Sequence, residues 1–291
     1  MAMKSTSLKG PLLMFSSAVL FSLGGLFIKL IPWDAPSTNG ARNLVGVCVV
    51  GLYMLLSRHK LRLNPAVLLG AAAYASTTTL FTFANKLTTA ANAIVLQFSA
   101  PVFIILFMWL IFKEKPSRLD TVTCVIVLSG ILLFFIDSLS VGGMLGNILS
   151  LLSGVTYAFV FMSGTFHGSD PLSSVFWGQV ICSAACGPFI FFETDFSFRA
   201  IIFIVILGVF QLGLAYILFS KGIVITHAVT AVLVSAIEPI LSPVWTMIFY
   251  NEKLTLTALA GGVIVVGAIV AYNIIKARTQ SDLPPPEEKT A

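Results

Sequence analysis

Ten runs of roughly 18 or more mostly apolar residues constrain this chain more than any motif does. They fall at about 11–31, 39–57, 66–84, 92–112, 119–136, 144–166, 172–192, 200–220, 228–250 and 256–276. A run of roughly that length crosses the hydrocarbon core of a bilayer as a helix. Only 10% of the residues are charged, against about 25% in a soluble domain. Outer-membrane barrels need shorter, alternating segments, and none occurs here. The sequence therefore predicts an all-α integral membrane protein with ten transmembrane helices. The first run follows Lys4 and Lys9, as the apolar part of a signal peptide would. It is too long for one and lacks a small-x-small cleavage site, so it reads as a retained span.

The net charge of +5 is a topology signal and says little for nucleic acid. With the N-terminus inside, the inner loops and tails hold Lys4, Lys9, Arg58, Lys60, Arg62, Lys113, Lys115, Arg118, Lys221, Lys276, Arg278 and Lys289. The outer loops hold Lys86, Arg199 and Lys253. Twelve against three fits both termini in the cytoplasm, and an inner, multi-pass cell membrane is the expected location. The tail from Gln280 to Ala291, with Pro284 to Pro286 and four charges, reads as disordered. Cys48, Cys124, Cys182 and Cys186 lie within spans without a histidine or carboxylate spaced to complete a metal site, so they read as packing residues and no metal or cofactor is expected.

The chain repeats itself. An offset of 136 places Ser17 on Ser153 and Asp34 on Asp170. An offset of 138 places Pro101 on Pro239, Glu114-Lys115 on Glu252-Lys253 and Val125–Val127 on Val263–Val265. Lys86 meets Lys221 at 135. The matches keep their order and span number, so the reading is two five-helix halves, 1–137 and 138–279, followed by the tail 280–291. Five is odd, so the second half enters the membrane upside down, and loop cations disappear where it would face outward. Inverted repeats are typical of secondary transporters, which bind substrate near the midplane between the halves.

Two stretches, "KLTTAANAIVLQFSAPVFIILFMWLIFKEK" and "KGIVITHAVTAVLVSAIEPILSPVWTMIFYNEK", each carry a mid-span proline and an acidic end. With ten spans and a repeated half, they make the chain resemble the drug/metabolite transporter superfamily in its EamA-like branch. The closest type is the YddG-like amino-acid exporters. Members often end this helix with Gly-Glu; here it is Lys113-Glu114 and Asn251-Glu252. The resemblance implies a cavity lined by helices one, three, four, six, eight and nine.

Glu238 sits directly before Pro239 inside an oily span, and its counterpart is Ala100. The fold itself therefore does not call for it. Ser235, Glu238, Ser242 and Trp245 share one side of the helix. A charge at mid-bilayer costs roughly 2.5–3.5 kcal/mol on insertion scales and usually faces protein or a watery cavity. Pro239 frees the carbonyl of Ser235, opening the helix there. Three roles compete for Glu238: proton carrier, partner of a substrate ammonium, or a structural group bonded to a neighbouring helix.

Tyr74 and Asn85 on helix three, Gln97 on helix four, Tyr157 on helix six, and Gln211 and Tyr216 on helix eight are further lining candidates. Thr77 and Thr78 fit packing better, although Thr78 belongs with the binding candidates by its position. The seam Ser150, Gly154, Ala158 is a close-packing surface. Lys29 and Arg42, near the outer ends of their helices, fit interfacial anchors that snorkel.

These features predict a secondary transporter, an exporter of small organic solutes such as amino acids or related metabolites, working by alternating access with protons coupled through Glu238. The alternative is a uniporter or permease without proton coupling. No ATP-binding G-x-x-x-x-G-K-[ST] is present. An enzyme would need a nucleophile with a base, a carboxylate pair or a metal cluster, and the histidines sit in or beside loops, so no catalytic residue is assigned. A channel would use rings from several subunits, and a scaffold would need no polar cavity face. The expected partners are a small-molecule substrate, protons and the lipid bilayer, with no nucleic acid, in a monomer or weak dimer.

Overall fold

The computed structural model describes residues 3–137, 143–250 and 255–281. Ten helical segments follow in order: α1 Leu8–Leu30, α2 Ala35–Leu56, α3 Pro65–Leu87, α4 Asn92–Phe112, α5 Arg118–Phe135, α6 Met144–Met162, α7 Pro171–Phe192 and α8 Phe198–Ile223. α9 comprises Ala228–Ser235 and Ile237–Tyr250, and α10 is Leu256–Ser281. Among the described residues nine helices are long and apolar enough to cross a membrane, and α9 contributes a shorter apolar stretch, Ala228–Ser242. The chain is an all-helical membrane protein. α10 continues through Gln280 and Ser281; the rest of the expected tail lies outside the described residues, as do Asn251 and Glu252.

Local chemistry starts the helices where the sequence suggests. Asn64 accepts from Val67 N at 2.9 Å ahead of Pro65, and Asp170 accepts from Ser173 N ahead of Pro171. Ser117 and Asp120 cap α5 reciprocally. Each arrangement satisfies backbone donors that a helix start leaves open.

Beside an apolar core, this protein buries many polar side chains and exposes many large apolar ones. Arg42, Asn39, Asn43, Thr82, Ser150, Ser153 and Gln179 are buried, while Leu52, Leu55, Leu56, Leu132, Phe191 and Val263 are exposed. Lipid tails are as apolar as leucine, so polar groups turn inward and backbones approach through small residues. At Gly40 an added Cβ would stand 2.5 Å from the Cys186 carbonyl carbon on α7, and at Gly261 it would stand 2.6 Å from the Gly130 oxygen on α5.

The packing partners follow a rule. α3 packs on α6 and α7; α8 packs on α1 and α2; α4 packs on α6 and α9 on α1; α2 packs on α7 and α5 on α10. Moving each helix five places along the chain maps this set of pairs onto itself, with α2–α7 and α5–α10 each returning to itself. A two-fold axis that exchanges the halves has that property.

Candidate functional site

Four helices lose regular α geometry at the same depth. α1 breaks at Ser22, whose hydroxyl donates to its own Val19 carbonyl at 2.6 Å. α4 breaks between Gln97 and Ala100; Pro101 has no N–H for the Gln97 carbonyl, and Ser99 N bonds back three residues to Leu96 O instead. α9 breaks at Ala236, with Pro239 withdrawing its donor from the Ser235 carbonyl. α8 widens into a π-helix over Leu207–Leu214, a distortion frequent at functional sites. Irregular backbone at membrane depth persists where it is buried in protein or borders a cavity.

A cavity of about 30 Å³ lies among these breaks, lined by Phe21, Arg42, Thr77, Thr78, Phe81, Gln97, Tyr157, Gln211, Leu212, Tyr216 and Glu238. Ligand pockets usually span roughly 300–1,000 Å³, so this conformation leaves little room for a ligand at its centre. Of the residues expected to line a site, Thr78, Gln97, Tyr157, Gln211, Tyr216 and Glu238 meet here. Tyr157 donates to Glu238 Oε2 over 3.4 Å. Gln97 bonds across to α6, donating to Ser153 Oγ at 2.7 Å. The Thr77 and Thr78 hydroxyls bond to the carbonyls of Ala73 and Tyr74 one turn back, as the packing reading expects, while also facing the cavity.

The other four candidates sit around it. Tyr74 donates to Asn43 Oδ1 at 3.0 Å and stacks edge-on against Tyr216. Ser242 is buried and would lie 3.1 Å from a Cβ at Gly25. Trp245 Nε1 donates to Ser22 Oγ at 2.7 Å, tying α9 to the break of α1. Asn85 is fully buried, and both polar atoms of its side chain lack a partner.

Arg42 corrects the snorkelling expectation. It is 1% exposed and turned into the bundle. Its Nη1 donates to Gln211 Oε1 at 3.0 Å, and its Nη2 donates to Asn39 Oδ1, Thr78 O and Thr82 Oγ1. Nε has no partner, and among the described residues no carboxylate pairs with it. The legible signal was the run Thr38, Asn39, Arg42, Asn43, a polar stripe at helical spacing that a lipid-facing surface would not carry. Lys29 does act as an anchor, donating to Thr88 O at 2.7 Å, while Lys86 donates to Ile31 O at 2.6 Å. These two cations meet carbonyls at helix ends, where the backbone dipole favours them.

Loops bond to one another at both ends of the bundle. At one, Glu193 accepts from Asp34 N at 2.9 Å, and Trp33 Nε1 donates to Asp195 O. At the other, His59 Nε2 meets Asp170 Oδ2 at 2.8 Å, Asn64 donates to Gly168 O, and Trp177 Nε1 donates to Arg62 O. The first seal joins the α1–α2 loop to the α7–α8 loop. The second joins the α6–α7 loop to the α2–α3 loop, which is the same pair five helices on.

Residues 8–136 and 144–274 each match the EamA-like transporter family. The chain belongs to that family, a branch of the drug/metabolite transporters. Over 89% of this chain and 77% of the relative, it is 25% identical to solute carrier family 35 member G1 of Homo sapiens. It is 27% identical to the uncharacterized transporter YwfM of Bacillus subtilis (strain 168), over 82% of this chain and 85% of that one. A solved crystal structure superimposes with a TM-score of 0.75 at 19% identity, covering 94% of this chain and 99% of that one. The relatives make this EamA-like chain a membrane transporter of small solutes rather than an enzyme.

One departure from the EamA-like pattern has a conformational consequence. Lys113, where members often have glycine, ends α4 with φ of 60°. Glu114 N then bonds back to Met108 O at 3.2 Å. This is the left-handed helix cap that glycine adopts without steric cost.

Proposed function

We propose that this protein is a secondary transporter that exports small organic solutes, amino acids or related metabolites, by alternating access at the central cavity. The observation that carries the reading is Glu238, half-buried at the break of α9, facing a small chamber with, among the described residues, one long bond from Tyr157. A carboxylate so poorly partnered at membrane depth is a functional group before it is a structural one. It serves as the proton carrier, exchanging its proton for substrate as the halves rock. The reciprocal packing and the paired loop seals support two copies of a five-helix unit. With five crossings each they run in opposite senses, and cation placement supports a cytoplasmic position for both termini. One seal opens while the other holds. The breaks of α4 and α9 are the bending points.

Counterflow in proteoliposomes tests the reading. Saturable exchange with amino acids or related metabolites is expected, accelerated by an imposed proton gradient. Glu238→Gln is expected to abolish the acceleration. No saturable exchange with any pool would overturn the transporter reading. An acceleration that survives in Glu238→Gln would leave a carrier without coupling at this residue.

A further inference from the structure

One arginine and one glutamate of the cavity break its internal symmetry. By the repeat offsets Phe21 matches Tyr157 and Phe81 matches Tyr216, so both halves supply the same aromatic walls. Arg42 instead falls on Gly178, and Glu238 on Ala100. A symmetric frame cannot tell one end of a ligand from the other. One cation from α2 and one anion from α9 can.

Both groups are under-satisfied. Arg42 is buried with its Nε–H unpartnered and an Nη1–H held only by the neutral amide of Gln211, itself a lining residue. Among the described residues Glu238 receives the Tyr157 phenol alone, at 3.4 Å. They do not neutralise each other, because among the described residues no ion pair within 4.0 Å joins them. Arg42 is also built into place: Asn39, Thr78 and Thr82 fix Nη2 from one side. A guanidinium so oriented, with donors left over, suits a carboxylate.

We propose that Arg42 and Glu238 together form a dipolar site for one small zwitterion, Arg42 taking the substrate's carboxylate in place of the Gln211 amide oxygen and Glu238 taking its ammonium. The aromatic walls then face the rest of the substrate. This inference rests on the transport reading and narrows it to substrates carrying both charges. An amine lacking the carboxylate leaves the arginine unpaired; an acid lacking the amine leaves the glutamate unpaired. Each omission weakens binding by roughly 10- to 100-fold, the worth of a hydrogen bond to a charged group.

The test is counterflow in proteoliposomes loaded in turn with glycine, alanine, leucine, glutamine and phenylalanine. For each that exchanges, competition is measured with the intact amino acid, its decarboxylated amine, its deaminated acid and its methyl ester. In the natural protein all three analogues are expected to compete at least about 10-fold more weakly than the amino acid. In Arg42→Gln the amine and the ester should approach the amino acid while the acid stays weak; in Glu238→Gln the acid should gain and the amine stay weak. Arg42→Lys should restore part of the preference for a free carboxylate. An ester that competes as well as the free acid in the natural protein overturns the proposal without any variant, and so does unchanged discrimination in a folded Arg42→Gln protein. Exchange of metabolites lacking one charge, with none of the five amino acids, overturns the dipolar site and leaves the transporter standing. No exchange with any metabolite removes both.

Discussion

Gly154 is where one methyl group should reveal how tightly the broken helix α4 is held. A Cβ there would stand 2.8 Å from Gln97 O, 2.7 Å from Ser99 Oγ and 3.2 Å from Leu96 O. Two of the three are backbone atoms at the break, so no side-chain rotation makes room. α4 cannot slide away freely either. Gln97 Nε2 is held by Ser153 Oγ at 2.7 Å, and Ser150 Oγ donates to Ala93 O one turn along the same contact. Overpacking of this kind costs roughly 1–3 kcal/mol. Replacing glycine by alanine inside a helix returns up to about 1 kcal/mol, which would mask part of the loss. Gly267→Ala supplies the correction, because a Cβ at Gly267 meets nothing within 4 Å. Gly154→Ala is therefore expected to be about 1–3 kcal/mol less stable than Gly267→Ala, read by reversible unfolding in mixed micelles with tryptophan fluorescence. Exchange in proteoliposomes should slow in the first variant only. Equal stabilities within about 0.5 kcal/mol would refute the close approach of α6 to the α4 break.

Two further perturbations probe the frame. Lys113→Gly relieves a left-handed backbone that costs an ordinary residue about 1–2 kcal/mol; after the added entropy of glycine, a gain of roughly 0.5–1 kcal/mol in the same unfolding assay is expected, and Lys113→Ala should give none. Tyr272→Phe removes the hydroxyl that donates to Asp120 at 2.6 Å and accepts from Lys276 at 2.6 Å; it should cost about 1–2 kcal/mol, because Lys276, 3.5 Å from Asp120, can take over part of the pairing, and adding Lys276→Met should then cost more than the two changes separately.

Much of the fold was legible because it follows from periodicity and solvent preference. Span positions come from run length, and breaks at Pro101 and Pro239 follow from a missing N–H. The breaks carried by Ser22 and by the π-helix of α8 have no proline to announce them. Ser22 diverts its backbone through its own hydroxyl, and the widened turn of α8 accompanies packing of Gln211 against Gly24 and Arg42. Glu238 stood out as a carboxylate in oil. Arg42 did not, since a cation near a helix end has an inexpensive escape to the interface.

What the sequence by itself determined is the medium, the number of helices, the recurrence of residues at offsets of 135 to 138 and the oddity of one mid-span acid. Each rests on hydrophobicity or on spacing along one chain. Only the tertiary structure decided which way each helix turns about its own axis, and hence that Arg42 points inward to the chamber that Glu238 faces. Helix rotation is set by the neighbours a helix packs against, through glycine contacts and interhelical hydrogen bonds. For α2, which carries Arg42, the main neighbours are α7 and α8, far along the chain.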